Sequence, residues 1–579
     1  MRNMELKIKS IFNLRNLVYI LLPLNIVNLV FTICYILIPF DNILWIIFGI
    51  LILINFIGNF LLVYVNSMKL NKTNKLSQTI NLICYIYLVF FNLAMLLILL
   101  GNFLISVNYS NAIISNIGFY VMVYGGFMGI LLLGLIISFL DYKNLDNRAL
   151  WEHPQSKNKN ISKYKIYVKK VLKVVLALIT IFTFLLSFYF AYVITIAPLT
   201  DYFAWLIGML VPQFSLFLAL ILLSYTILFL KLLSRRKRKR LKITIAVIGF
   251  FLSFVFFLPL LSTPTILVQA ESDFGLAFGS NWRSKIDSSV NQYFMDSQFN
   301  LAEYLIGNQP KHCNIDQNIT FYEGEGITLC YDAYYPQSGG TNLPGNNSVL
   351  INIHGGAWVA GDKGAANMLQ VSKYFAAQGY VVFDIQYGLI EDSSSWIPTP
   401  DYVKGNFSLD DQVRHIGIFI KQLNDTEFSK YNLNLNSVFI TGNSAGGHLA
   451  IATSLMIQSG NYTSLFGSNI KVKGMIPLYP GDPPERFNSS TDKFRNPENF
   501  FINETSMPCL IFQGTKDFCL LETQHIKNQY DAAGNNDCCV IWFPFQGHAN
   551  DLYYSGHFNQ FKLYYMERFL YLCRTSQIE

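Results

Sequence analysis

Thr441-Gly442-Asn443-Ser444-Ala445-Gly446-Gly447-His448 follows a strand-like run, Ser437-Val438-Phe439-Ile440, and leads into a helix-like one, His448-Leu449-Ala450-Ile451-Ala452. A serine between glycines at such a junction predicts a sharp strand-to-helix turn that thrusts the hydroxyl out at the top of a sheet. Gly and Ser are common in loops, so the five-residue pattern alone is weak. Its place between strand and helix makes Ser444 the candidate nucleophile.

About ninety residues upstream, the buried-strand pattern Val349-Leu350-Ile351-Asn352-Ile353 runs into His354-Gly355-Gly356-Ala357-Trp358. Acyl transfer passes through an oxyanion, which is stabilised by preorganised N–H donors. Gly355 and Gly356 can supply two, and Ala445 a third. An ordinary strand-to-loop turn is the competing reading of the pair alone.

Downstream, a strand at Met507–Gln513 runs into Gly514-Thr515-Lys516-Asp517, and one at Cys538–Phe543 into Pro544-Phe545-Gln546-Gly547-His548. Both candidates therefore follow strand ends, where open α/β sheets place their sites. His548 is the expected base for Ser444, and Asp517 the acid that orients it. Asp551 is a rival acid, and His557 and His525 are rival bases that follow a strand less closely. His448, four residues after the serine, reads as a packing residue.

Residues from about Cys313 to the end resemble the hormone-sensitive-lipase and feruloyl-esterase-like branch of the α/β hydrolases. The matching residues are His354-Gly355-Gly356-Ala357-Trp358 with Gly361-Asp362-Lys363, Asp384-Ile385-Gln386-Tyr387, Gly442 to Gly447, Gly514 to Asp517, and Gly547-His548. The resemblance implies a mostly parallel sheet flanked by helices. It also implies a serine hydrolase of carboxylic esters that works through an acyl-enzyme, with no cofactor and no metal. Two positions depart from it: Asn443 stands where Asp is frequent, and Ala357 matches the HGGxW variant.

Composition divides the chain near residue 265. Apolar runs at about Leu17–Phe40, Ile43–Val65, Ile80–Val107, Ile113–Leu140, Val174–Ala197, Phe203–Leu230 and Ile243–Leu261 each reach the length of a spanning helix. The expected organisation is therefore an all-α polytopic membrane domain of about seven spans at 1–265. Linker or cap helices follow at 266–312, and an α/β-hydrolase domain at 313–579. Within the linker, Asn300 to Gly307 fits a short helix with a glycine stop.

Loop charge predicts the orientation. Arg2, Lys7, Lys9 and Arg15 precede the first run, Lys69, Lys72 and Lys75 fill the second loop, and Arg235 to Arg240 the sixth. The alternate loops near Asp41, Asn108 and Asp201 have no Lys or Arg. The positive-inside rule then gives a cytoplasmic N-terminus and an extracellular or lumenal hydrolase domain. The net charge of +7 hides +18 on residues 1–265 and −11 on the remainder. That division argues against nucleic acid as a partner and for the bilayer, while the resemblance implies a small ester or lipid ester as substrate.

Seven N-x-S/T sequons fall after residue 313, at Asn318, Asn346, Asn406, Asn424, Asn461, Asn488 and Asn503, so a glycoprotein is expected. Seven of nine cysteines lie there too, and Cys313 with Cys330 is one candidate pair. Asn25, Asn28, Asn55, Asn59 and Asn92 lie within the spans, where amide side chains serve helix packing. Two other classes of function stay open: a catalytically silent hydrolase domain used for binding, and a seven-span transporter or receptor with an accessory hydrolase.

Overall fold

The computed structural model describes residues 14–576 apart from 39–42, 71–73, 109–112, 152–162, 234–238, 366–367, 392–394, 396, 486 and 488–491. Arg2, Lys7, Lys9, Asp41, Lys72, residues 235–238 and the Asn488 sequon of the sequence argument lie outside them.

Seven helices are long and apolar enough to cross a membrane. They are α1 (Leu14–Leu37), α2 (Leu44–Lys69), α3 (Lys75–Ser106), α4 (Asn116–Lys143), α5 (Val174–Thr195), α6 (Tyr202–Leu232) and α7 (Lys239–Phe278). Their outward faces remain apolar, with Val30, Ile54, Leu93, Phe182 and Phe250 all exposed. Polar side chains turn inward instead. Asn59 donates to Asn25 and Asn55 at 2.9 and 2.7 Å, and Asn25 donates to Ser138 at 3.3 Å, which joins α1, α2 and α4. These three amides thus find partners inside the bundle, as burial of polar groups demands.

Two helices are broken. A 3-10 turn at Pro212–Phe214 divides α6, where proline offers no N–H to the helix ladder. A turn at Ser262, followed by Pro264, divides α7 into Lys239–Leu261 and Thr263–Phe278.

The C-terminal half is built on an eight-stranded sheet. Its strands are β1 (Asn314–Gly324), β2 (Ile327–Tyr335), β3 (Ser348–Ile353), β4 (Val381–Ile385), β5 (Asn434–Asn443), β6 (Val472–Leu478), β7 (Cys509–Gly514) and β8 (Cys538–Phe543). Their spatial order is β1-β2-β4-β3-β5-β6-β7-β8. Helices connect and cover them: α8 (Leu301–Ile306) precedes β1, and α9 (Met368–Ala377), α10 (Leu409–Gln422), α11 (Ala445–Ser459), α12 (Leu520–Ala532) and α13 (His557–Arg574) follow in turn. β3, β4 and β7 are wholly buried and β5, β6 and β8 are buried over most of their length, which is why they read as continuous apolar runs.

The sheet is mixed, which corrects the mostly parallel sheet expected. Pairings from β4 through β3 to β8 are parallel, whereas β1–β2 and β2–β4 are antiparallel. The cause is local: Glu325 and Gly326 both have positive φ (55° and 80°), which makes a two-residue hairpin and forces β2 back along β1. The same ladder separates Cys313 from Cys330. Asn314 faces Tyr335 while Cys330 faces Thr320, so the candidate pair lies about six residues apart along the strands. All nine cysteines are free thiols.

The segment expected as linker and cap begins inside α7. Ile266, Ala270, Phe274 and Phe278 of its second part bury against the sheet beside α13, with Phe274 5.2 Å from Tyr565 and Phe278 5.2 Å from Phe569. The short helix α8 is capped by Asn300 and ends at Gly307 (φ +92°), and it is buried among the ends of the apolar helices.

The two halves meet along a polar seam. Tyr35 donates to the Gly307 carbonyl at 3.0 Å, Asn102 to Tyr553 at 3.3 Å, and Gln370 and Lys373 to the carbonyls of Ile105 and Asn108 at 3.2 and 3.0 Å. Gln213, in the break of α6, accepts the Tyr553 N–H at 2.8 Å. These contacts use the end of α1, the end of α3 and the break of α6, all at one end of the bundle. Arg15, at the start of α1, lies at the opposite end, where it pairs with Asp146 beyond the end of α4.

Candidate active site

β5 ends at Asn443 and α11 begins at Ala445, so Ser444 alone makes the turn, at φ +55° and ψ −120°. Such a backbone stores roughly 1–3 kcal/mol for a non-glycine residue and persists only when its surroundings fix it. Here the Ser444 N–H donates to the Leu478 carbonyl at 2.9 Å, and its own carbonyl accepts from Gly481 at 2.9 Å. Gly446 completes the turn: a Cβ there would lie 2.1 Å from the Ile353 carbonyl oxygen, so only glycine lets α11 start this close to β3.

The loops after β7 and β8 bring the other two residues to it. The Lys516 N–H donates to the Gln546 carbonyl at 2.8 Å and ties the two loops together. Ser444 Oγ lies 2.8 Å from His548 Nε2, and His548 Nδ1 lies 2.9 and 3.0 Å from the two oxygens of Asp517. Asp517 and His548 are buried, while Ser444 is partly open. The Cys519 N–H, donated at 2.8 Å, holds the same carboxylate in place.

The rival residues are engaged elsewhere. Asp551 accepts from Tyr479 and faces Lys562 Nζ at 3.3 Å. His557 meets Thr263 Oγ1 at 2.8 Å among Phe299, Phe543 and Phe561, and His525 meets Asn499 at 2.8 Å. His448 takes the Trp358 indole N–H at 3.3 Å on Nδ1 and reaches the Arg495 carbonyl at 2.9 Å through Nε2. Burial holds its imidazole down at about 4, so it is neutral at ordinary pH. Phe487 packs on Trp358 at 5.9 Å, so residues of the 480–504 segment wall this side of the site.

The HGG turn is held from behind. The His354 ring stacks on Tyr387 at 4.5 Å, and the Tyr387 hydroxyl donates to the His354 carbonyl at 2.9 Å. Gly356 has φ +129°, and a Cβ there would lie 1.9 Å from the Ala360 carbonyl oxygen. Gly355 differs from expectation, because its N–H donates to Asn443 Oδ1 at 2.8 Å. Gly356, together with Ala445 at the N-terminus of α11, carries the two other N–H groups expected to face an oxyanion. Asp517, Cys519 and His548 also form the one cluster with metal-ligand chemistry among the described residues. Hydrogen bonds to the serine and the carboxylate already account for both nitrogens of the imidazole.

Sequence reasoning missed two kinds of residue. Tyr479 and Lys562, behind the elbow, belong to a buried chain that runs from Asn443 Nδ2 to Tyr479 at 3.3 Å and on to Asp551 and Lys562. Trp205, in α6, packs 5.1 Å from Phe518 and 6.5 Å from the His548 ring, so the apolar helices reach the site itself. Pro212-Gln213 within an apolar run was the available signal for the second.

Residues 331–482 match the family model BD-FAE. That is an esterase and feruloyl-esterase-like α/β-hydrolase domain, and the match runs from within β2 to the residues just after β6. The chain is similar to an esterase from Pyrobaculum calidifontis, with 18% identity over 47% of this chain and 87% of that one and a TM-score of 0.35. It is similar to esterase B from Lactobacillus rhamnosis, with 19% identity over 54% and 98% of the chains and a TM-score of 0.34. Thermogutta terrifontis esterase 2, phosphorylated by paraoxon, shows 19% identity over 44% and 90%, with a TM-score of 0.33. Comparison with curated proteins finds no match.

Proposed function

We propose that this chain is a membrane-anchored serine carboxylesterase that cleaves carboxylic esters through an acyl-enzyme on Ser444. One observation carries the reading: Ser444 Oγ, on a turn with positive φ, lies 2.8 Å from an imidazole whose other nitrogen is held by a buried carboxylate. The esterase-like family match at 331–482 supports the same bond class.

His548 Nε2 takes the Ser444 proton as Oγ attacks the ester carbonyl carbon. The carbonyl oxygen becomes an oxyanion facing the N–H groups of Gly356 and Ala445. Collapse breaks the bond to the alcohol oxygen, which leaves with the proton from His548. Water, deprotonated by His548, then attacks the acyl carbon, releases the acid and returns the proton to Ser444. Asp517 keeps Nδ1 protonated and stabilises the charged imidazolium in both halves of the cycle.

The membrane part of the proposal is supported by seven long apolar helices with exposed apolar faces and inward amides. The hydrolase half contacts the bundle end away from Arg15 and Asp146, which agrees with a cytoplasmic N-terminus and an extracellular or lumenal C-terminal half. The sequons at Asn406, Asn424, Asn461 and Asn503 lie at exposed positions, as glycosylation there requires. The division at 1–265, 266–312 and 313–579 is retained as an organisational proposal, with the second part of α7 shared between halves.

The test is labelling of sealed cells with a membrane-impermeant fluorophosphonate, wild type against Ser444→Ala. Labelling lost in the mutant supports both the nucleophile and the external site. Labelling only after permeabilisation would overturn the topology. No labelling of folded protein in either state would overturn the enzyme.

A further inference from the structure

The aromatic contacts of Trp205 form a line from the outside of the apolar bundle to the imidazole. Tyr202 and Phe203 open α6 and are 59% and 72% exposed. Their rings lie 6.1 Å apart, and Tyr202 lies 5.2 Å from Trp205. Trp205 then meets Phe518 edge-on at 5.1 Å, and Phe518 lies 4.5 Å from the His548 ring.

This helix is fitted to the catalytic loop. Gly547, immediately before His548, has no space for a side chain, because a Cβ there would lie 2.8 Å from the Gly208 carbonyl oxygen. Beside the contact is a small cavity, lined by Ala197, Pro198 and Leu199 from the bundle and by Phe545 and Gly547 from the loop. The Trp205 indole N–H is buried there with no acceptor among the described residues.

The chemistry of the reaction assigns this side of the site. His548 hands its proton to the departing alcohol oxygen, so the alcohol part of the ester lies on the His548 side. On that side the wall is aromatic, and it continues into the apolar surface of α6. A small water-soluble alcohol would leave the line unused, whereas a long hydrocarbon chain would lie along it and extend into the bilayer.

We propose that Tyr202, Phe203, Trp205 and Phe518 form a binding wall for the apolar chain on the alcohol side of a bilayer-resident ester. This rests on the esterase reading above and adds the substrate class. Contact with the wall is expected to raise kcat/KM by roughly three- to fourfold per methylene buried.

The experiment uses the full chain in phosphatidylcholine nanodiscs and measures acetate release from ethyl, octyl and dodecyl acetate. Wild type is compared with the double variant Tyr202→Ser/Phe203→Ser, at two exposed positions. In the wild type, kcat/KM for dodecyl acetate should exceed that for ethyl acetate by at least about tenfold. In the variant that ratio should fall by about tenfold, with ethyl acetate turnover within about twofold and fluorophosphonate labelling of Ser444 retained. Because both proteins share one bilayer, partitioning of the esters cannot produce the difference. An unchanged ratio with labelling intact overturns the wall and leaves the esterase standing. Absence of labelling in the folded wild type overturns both.

Discussion

Asn443 Oδ1 accepts the Gly355 N–H at 2.8 Å, so the residue before Ser444 clamps the turn that faces it. The two lie 88 positions apart in sequence, yet a Cβ on Gly355 would meet the Asn443 carbonyl oxygen at 2.6 Å. The amide therefore fixes the spacing between the elbow and the neighbouring Gly356 N–H. Asn443→Ala should lower kcat by about tenfold, below the 10²–10³ expected for losing a direct oxyanion donor, and move KM less. Asn443→Asp keeps the acceptor and should recover part of the loss. Steady-state kinetics with a soluble ester tests this, and an alanine variant with wild-type kcat would refute the clamp.

The triad geometry predicts a steep and non-additive loss. Ser444→Ala and His548→Ala should each reduce kcat by about 10⁴-fold or more, and Asp517→Asn by about 10⁴-fold. Combining Asp517→Asn with Ser444→Ala should cost nothing beyond Ser444→Ala alone, since the residues act as one unit. Additive losses would mean that Asp517 acts elsewhere than through His548.

Lys562 and Asp551 form an ion pair in the interior, both almost without solvent contact, at 3.3 Å. Removing one partner strands the other charge, so Lys562→Met should destabilise the fold by about 3–5 kcal/mol. Lys562→Met with Asp551→Asn should restore most of that, because no charge is left unpaired. Denaturant unfolding of the three proteins decides it.

Two carboxyls near the site predict a pH-dependent stability. Burial pushes Glu498 up to about 7, with the charge of Asp482 as a lesser contributor, and Glu522 up to about 8, with the charges of Glu498 and Asp482 as lesser contributors. The folded state thus holds protons that the unfolded state releases near its ordinary pKa of about 4.5. Their stabilising effect is full below that value and is lost as pH rises through 7 and 8. Melting temperature should fall between pH 6 and 9 in wild type, and fall less in Glu498→Gln/Glu522→Gln. Parallel curves for the two proteins would exclude these groups as the cause.

Much of the site could be read from sequence because each triad member follows a strand made of a short apolar run. β5, β7 and β8 are buried on both faces, and the residues after them must sit at one edge of the sheet. The apolar helices were equally plain, since length and the scarcity of charge suffice to find them. Side-chain choices across distant segments were not readable. Whether the Gly355 N–H faces substrate depends on the amide of Asn443, and whether Trp205 reaches His548 depends on how two halves dock. The candidate pair Cys313 and Cys330 is left unjoined for a similar reason, as hairpin register rather than sequence spacing sets which residues face each other. The mixed sheet was encoded in Glu325-Gly326, a short signal beside the strong parallel pattern that follows.

The helix α7 runs for 40 residues, about 60 Å if straight, from the basic end of the bundle to the flank of the sheet. Its second part is bound into the interior of the C-terminal half through Phe274 and Phe278, and Glu271 accepts the Tyr565 hydroxyl at 2.7 Å. The natural fragment boundary is therefore Thr263, well before the first strand. A chain trimmed back to Asn314 would lose a covering helix and expose the apolar flank of β8 to water.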